Sequence, residues 1–178
     1  MIWILFERYI YMFTFVPDFF FNTFNEATVE FLMQNGIKGV ILDIDNTLEP
    51  YEHPYPGDHV KKWLGDLSQA GIGAAFVSNN KKARVELFNS ELGLPAYYKA
   101  GKPFKKNLLR AMSDIGSSKE NTILIGDQVF TDVWAARNAG IKAILVPPIK
   151  DKRDLLTKFK RLLEKPVLNK YKKEQVKK

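Results

Sequence analysis

Two carboxylates, Asp43 and Asp45, stand two positions apart at the end of an apolar run, Val40-Ile41-Leu42, and lead into Asn46 and Thr47. Such a run of β-branched and leucine side chains reads as a short buried strand. In an open parallel sheet the ligand crevice lies outside the carboxyl ends of the strands, so both carboxylates would stand at its mouth. Carboxylates this close repel one another unless a cation sits between them, and a hard divalent ion such as magnesium, held by oxygen ligands, is the simplest remedy. One could then attack a phosphorus atom while the other moves protons, since carboxylate nucleophiles form aspartyl-phosphates in phosphoryl transfer. The competing reading is structural: Asp45 and Asn46 would only make an Asx-turn after a strand.

The elements that would position these residues can be read along the chain. Residues 25–35 read as a helix with Val29, Leu32 and Met33 on one side and Gly36 as its stop. Leu48 to Gly57, with three prolines, two tyrosines and His53, reads as an irregular loop over the carboxylate end of the strand. Helix 58–70 places Val60, Trp63, Leu64 and Leu67 on one stripe, followed by strand 74–77, helix 81–92 and a short strand at 96–98. Helix 105–115, strand 122–125, helix 131–139, strand 142–146 and helix 151–163 complete the pattern. Alternating strands and helices predict an α/β, Rossmann-like fold with a five-stranded parallel sheet, right-handed crossovers and helices on both faces.

Laid on that scheme, four strand ends in succession carry groups suited to a phosphate. They are Asp43 with Asp45 and Thr47, then Ser78 with Asn79, then Lys102, then Asp127 with Asp132. Each has a plain structural explanation as a cap, a turn or a surface lysine. Their joint placement does not.

These motifs resemble those of the haloacid-dehalogenase (HAD) superfamily of phosphatases, in Asp43-Ile-Asp45-Asn46-Thr47, Phe76-Val77-Ser78-Asn79, Gly101-Lys102-Pro103 and Gly126-Asp127-Gln128-Val129-Phe130-Thr131-Asp132. The match runs over about residues 37 to 147 in the same order and spacing. Within the superfamily the chain is most similar to the class IIIA, YqeG-type phosphatases, whose relatives include the mitochondrial phosphatidylglycerophosphate phosphatase. The resemblance implies Asp43 as nucleophile and Asp45 as general acid and base, with Lys102 offsetting the charge shared by phosphate and Asp43. It further implies Mg²⁺ held by Asp43, the Asp45 backbone carbonyl and Asp127, with Asp132 orienting its waters. Ser78 and Lys102 would bind the phosphoryl oxygens, and Thr47 and Asn79 would position the substrate. His53 and His59 fall outside this scheme as loop residues. Thr47 and Ser78, and then Ser78 and Lys102, lie too close in sequence for a cap domain between them. A capless site suits a large substrate such as a phospholipid headgroup, a phosphoprotein or a nucleic-acid end.

Composition bounds the rest. The 178 residues suit one domain, divided here into an aromatic segment at 1–24, a core at 25–164 and a basic tail at 165–178. The chain has no cysteine, which excludes thiol catalysis, cysteine-zinc sites and a disulfide framework. Its net charge is +7, and from Lys150 to Lys178 there are 12 Lys and Arg against 4 Asp and Glu, so the basic excess lies there. Met1 to Phe21 is aromatic and aliphatic, but Glu7, Arg8, Pro17 and Asp18 argue against a spanning helix or a signal peptide. The expectation is a segment packed along the domain. The alternative is an interfacial anchor presenting Trp3, Phe6, Tyr9, Ile10 and Phe13. Aromatic start and basic tail together lean towards peripheral contact with the inner face of a membrane, and the default compartment is the cytoplasm. A non-catalytic module using the tail on a nucleic-acid assembly is the alternative function.

Overall fold

The chain enters the described region, residues 15–150 of a computed structural model, along the edge of a sheet. β1 (Phe19–Phe20) pairs in parallel with the last strand, β6 (Lys142–Leu145), placing Phe19 opposite Ile144. Asp18 fixes this edge: its backbone N–H donates to the Ala143 carbonyl, its Oδ2 accepts from the Ala143 N–H, and Arg137 pairs with the same carboxylate at 3.0 Å. The sheet thus has six parallel strands rather than five, in the order β1, β6, β5 (Thr122–Gly126), β2 (Gly39–Leu42), β3 (Gly73–Val77), β4 (Ala96–Tyr97). A two-residue strand is too short to show the alternation from which strands are recognised.

The order explains where a site can form. From β2 the chain winds outward through β3 and β4, then crosses to β5 and winds the other way through β6. The reversal lies between β2 and β5, and their carboxyl ends open the crevice there.

Both faces of the sheet are covered. Val40, Leu42, Phe76, Ile123, Ile125 and Ile144 feed one core, against α1 (Val29–Gln34), α2 (Asp58–Gln69) and α3 (Lys82–Asn89). Ile41, Ala75, Val77, Leu124, Ala143 and Leu145 feed the other, against α4 (Lys106–Asp114) and α5 (Trp134–Ala139). Successive strand residues alternate between faces, so strands buried on both sides need continuous apolar sequence, as β2 has.

α2 follows its expected stripe, with Val60, Trp63, Leu64 and Leu67 all buried. The helix expected over 25–35 is broken. A 3₁₀ turn at Phe24–Glu26 comes first, and α1 begins only after Thr28, whose hydroxyl accepts from the Phe31 N–H. Capping there rotates the stripe: Leu32 is buried, Met33 faces solvent at 61% exposure, and Phe31 meets Phe19 and Phe21 edge to face. The helix expected over 131–139 opens earlier, as a wide turn at Val129–Val133 that runs into α5. Of the aromatic start, the described part packs on the domain, with Phe15 edge to face against Phe130 and Trp134 at 5.3 Å. The expected stripe at Trp3, Phe6, Tyr9, Ile10 and Phe13, the helix 151–163 and the basic tail lie outside the described residues. Among the described residues no cap domain interrupts the fold, and no helix is long and apolar enough to cross a membrane.

Candidate active site

Asp43 follows β2 directly, and its N–H donates to the Ile125 carbonyl at 3.0 Å, which carries the ladder between β2 and β5 up to the crevice. Asp127 stands at the matching end of β5. Both side chains are nearly buried, as are Lys102 and Asp132. Lys102 Nζ joins the group: it lies 2.9 Å from Asp43 Oδ1 and 2.6 Å from Asp132 Oδ1.

Asp132 reaches inward because the wide turn at Val129–Val133 turns its side chain back towards β5. Its Oδ2 accepts from the Gln128 N–H at 3.1 Å. The approach is close enough that a Cβ on Gly126 would lie 2.3 Å from the Asp132 carboxyl carbon, so only glycine fits at the end of β5. Wide turns of this kind recur at functional sites because they re-aim a side chain within a helix.

Carboxylate oxygens of Asp43, Asp127 and Asp132 lie within 4.8 Å of one another. Three acids are buried together, and the Lys102 ammonium pairs with two of them, Asp43 and Asp132. Burial is the largest influence on Asp43 and pushes its carboxyl up to about 6, against the attraction of Lys102, with Asp132 and Asp45 pushing the same way as burial. Burial alone would depress the Lys102 ammonium, yet Asp132 and Asp43 together raise it above its ordinary value. An all-oxygen donor set with surplus negative charge suits a hard divalent cation.

Asp45 sits apart from this cluster. Its Oδ1 accepts from Arg84 Nε at 3.0 Å and its Oδ2 from Asn80 Nδ2 at 2.7 Å. Asn46 takes a left-handed conformation at φ 64°, which its short polar side chain tolerates, and turns the chain sharply after Asp45. Thr47 is buried, and its hydroxyl meets no hydrogen-bond partner among the described residues.

Ser78 follows β3 directly, buried, with its Oγ accepting from the Asn80 N–H. Asn79 turns to the loop that carries Lys102. Its amide donates to the Lys102 carbonyl and accepts from the Lys102 N–H, so both polar ends are committed to holding the lysine loop. His53 and His59 do have a place: both meet the buried Glu49 carboxylate, at 3.1 and 3.5 Å, beside the Gly57 N–H. They brace the loop after Asp45. Sequence reasoning singled out neither Arg84 nor Glu49, and Asn80 only as part of a helix start.

Comparison with known proteins gives the family. A family profile described as HAD-hydrolase-like matches residues 99–170, which include Lys102, Asp127 and Asp132. The probable phosphatase YqeG of Bacillus subtilis is 37% identical over 155 residues, covering 87% of this chain and 90% of its own. The chain belongs to the HAD-like phosphatase family. A phosphoglycolate phosphatase of Agrobacterium fabrum is 32% identical over 100 residues, covering 51% of this chain and 42% of its own. Among solved structures, a HAD-superfamily hydrolase from Ehrlichia chaffeensis shares the fold with a TM-score of 0.51 and 18% identity, over 71% of this chain and 97% of its own. CbbY from Rhodobacter sphaeroides, solved in complex with phosphate, shares it with a TM-score of 0.51 and 12% identity, over 66% of this chain and 89% of its own.

Proposed function

We propose that this HAD-like phosphatase is a Mg²⁺-dependent phosphomonoesterase that works through an aspartyl-phosphate on Asp43, on a large substrate such as phosphatidylglycerophosphate. The observation that carries the reading is the buried group of Asp43, Asp127 and Asp132 around Lys102, at the point where the strand order reverses.

Mg²⁺ would be held by the Asp43 and Asp127 carboxylates and the Asp45 backbone carbonyl, with Asp132 behind them, and when bound it would neutralise charge on the phosphoryl oxygens. The residues divide the remaining work. A carboxylate oxygen of Asp43 bonds to phosphorus as the ester P–O bond breaks, and Asp45 gives the departing oxygen its proton. Asp45 then takes a proton from water, whose oxygen bonds to phosphorus as the bond to Asp43 breaks, releasing inorganic phosphate. Lys102 orients Asp43 and offsets the charge it shares with the phosphoryl group. Ser78 and Thr47 would donate to phosphoryl oxygens, a use that suits the unpartnered Thr47 hydroxyl. Phosphate-ester hydrolysis is slow enough in water to need up to about 10²¹-fold acceleration, which is why positioning, charge and proton transfer act together.

The substrate class rests on the open mouth and on sequence outside the described residues. With no cap among the described residues, the substrate's own bulk would exclude water. Aromatic start and basic tail would favour an anionic lipid surface on the cytoplasmic side. The deciding experiment is phosphate release from phosphatidylglycerophosphate in mixed micelles, with and without Mg²⁺, for wild type and Asp43→Asn. Metal-dependent turnover lost in the variant is the expected result. Turnover of 4-nitrophenyl phosphate alone would remove the lipid and keep the enzyme. Silence on both would favour the non-catalytic module.

A further inference from the structure

Arg84 lies on α3, 39 residues from Asp45. Its side chain is only 10% exposed. Nε donates to Asp45 Oδ1, and Nη1 donates to the Pro54 carbonyl in the loop that follows Asp45. The guanidinium lies over the Phe88 ring at 5.2 Å and near the Tyr51 ring at 6.0 Å, and Nη2 is buried with no hydrogen-bond partner among the described residues. An arginine serving only to cover Phe88 would need neither the carboxylate nor the loop.

We infer that Arg84, with Asn80, is the positioning residue of the proton-transferring carboxylate Asp45; this rests on the phosphatase reading above. Each Asp45 oxygen accepts from one of the two, Oδ1 from Arg84 and Oδ2 from Asn80, so the carboxyl plane is fixed at both ends. Because Oδ2 is taken by Asn80, Asp45 occupies only one arm of the guanidinium fork, which leaves Nη2 over. The orientation is therefore set by two elements and not by the best arginine pairing. Asn80 is fixed in turn, since its Oδ1 accepts from the Lys81 N–H and its own N–H donates to Ser78 Oγ. The three residues after β3 thus serve three groups: Ser78 the oxyanion side, Asn79 the Lys102 loop, Asn80 the Asp45 carboxylate. Arg84 adds a link from Asp45 to the Pro54 loop, at the rim of the crevice.

A group that acts through Asp45 should matter only when a proton must reach the leaving oxygen. With Mg²⁺ present, kcat/KM, which reports phosphorylation of Asp43, is compared for phenyl phosphate and 4-nitrophenyl phosphate. The first leaves as the stronger base and needs the proton; the second does not. Arg84→Met is expected to lower kcat/KM for phenyl phosphate about 30-fold, short of the roughly 10²- to 10⁴-fold that general-acid catalysis supplies because Asp45 itself remains, and that for 4-nitrophenyl phosphate less than about threefold. In an Asp45→Asn background the same substitution is expected to change neither, and Arg84→Lys is expected to recover part of the loss. Equal loss on both esters, or undiminished loss in the Asp45→Asn background, would overturn the inference. If Arg84→Met fails to fold by circular dichroism, Asn80→Ala carries the same comparison through Oδ2. Wild-type protein that turns over neither ester, nor phosphatidylglycerophosphate in mixed micelles with Mg²⁺, would overturn the phosphatase reading itself, and this outcome is distinct from the other two.

Discussion

Lys102 pairs with two of the three buried carboxylates, Asp43 and Asp132, so its removal tests the site without any substrate. Lys102→Met leaves Asp43, Asp127 and Asp132 facing one another. In EDTA the variant is expected to lose about 3–5 kcal/mol of stability by urea denaturation, the usual cost of breaking a buried pair from one side. Asp43 gives a pH dependence whose sign follows from its upward shift. The folded protein binds this proton up to about pH 6, whereas an unfolded chain releases it near 3.8. Its contribution to the stability of the metal-free protein is therefore full below about pH 4, falls as pH rises to about 6, and is flat above. Mg²⁺ needs the carboxylate, so binding near pH 5.5 is expected to release protons, seen by calorimetry in buffers of different ionisation enthalpy, and to release few at pH 7.5. At this scale the grouping of Asp43, Lys102, Asp127 and Asp132 is legible, because acids and a lysine at successive strand ends have few structural uses, whereas Asp45 stands apart from that group. Arg84 and Asn80 were not legible, because the carboxylate they hold lies 39 and 35 residues away and nothing local distinguishes them from a helix face and a helix start.

Elements were legible where their period was long enough. α2 carries a full apolar stripe over 12 residues and forms where expected. α1 was misjudged because the hydroxyl of Thr28 starts the helix late, and a register set by a cap is not visible in the apolar spacing. The wide turn before α5 is not legible in the apolar spacing, because the contact it makes, Asp132 to Lys102, is tertiary. Its dependence on Gly126 is open to test. Gly126→Ala would drive a methyl into the Asp132 carboxylate. The expected cost is about 1–3 kcal/mol in thermal denaturation, with weaker Mg²⁺ binding, because overpacking moves the acid out of place. Away from the site, Phe88 on α3 packs edge to face on Phe76 of β3 at 5.6 Å, and both are fully buried. Phe88→Ala is expected to cost about 3–5 kcal/mol and, because the ring also lies under Arg84, to lower activity beyond what stability explains.

Across the whole molecule, β1 covers an edge of β6 that would otherwise present unpaired amides and carbonyls beside Ile144 and Leu145. Deletion of residues 1–22 is expected to lower the denaturation midpoint and promote association seen by light scattering, as bared strand edges do. The sheet's α/β class was legible from alternation alone, but the contribution of β1 was not, because two residues carry no pattern. Asp18 reaches across 125 residues to the Ala143 N–H. On the ribosome, then, the earliest strand of the sheet has no partner until the last has emerged. At about 5–20 residues per second it waits roughly 6 to 25 s, with Phe19 and Phe20 uncovered throughout.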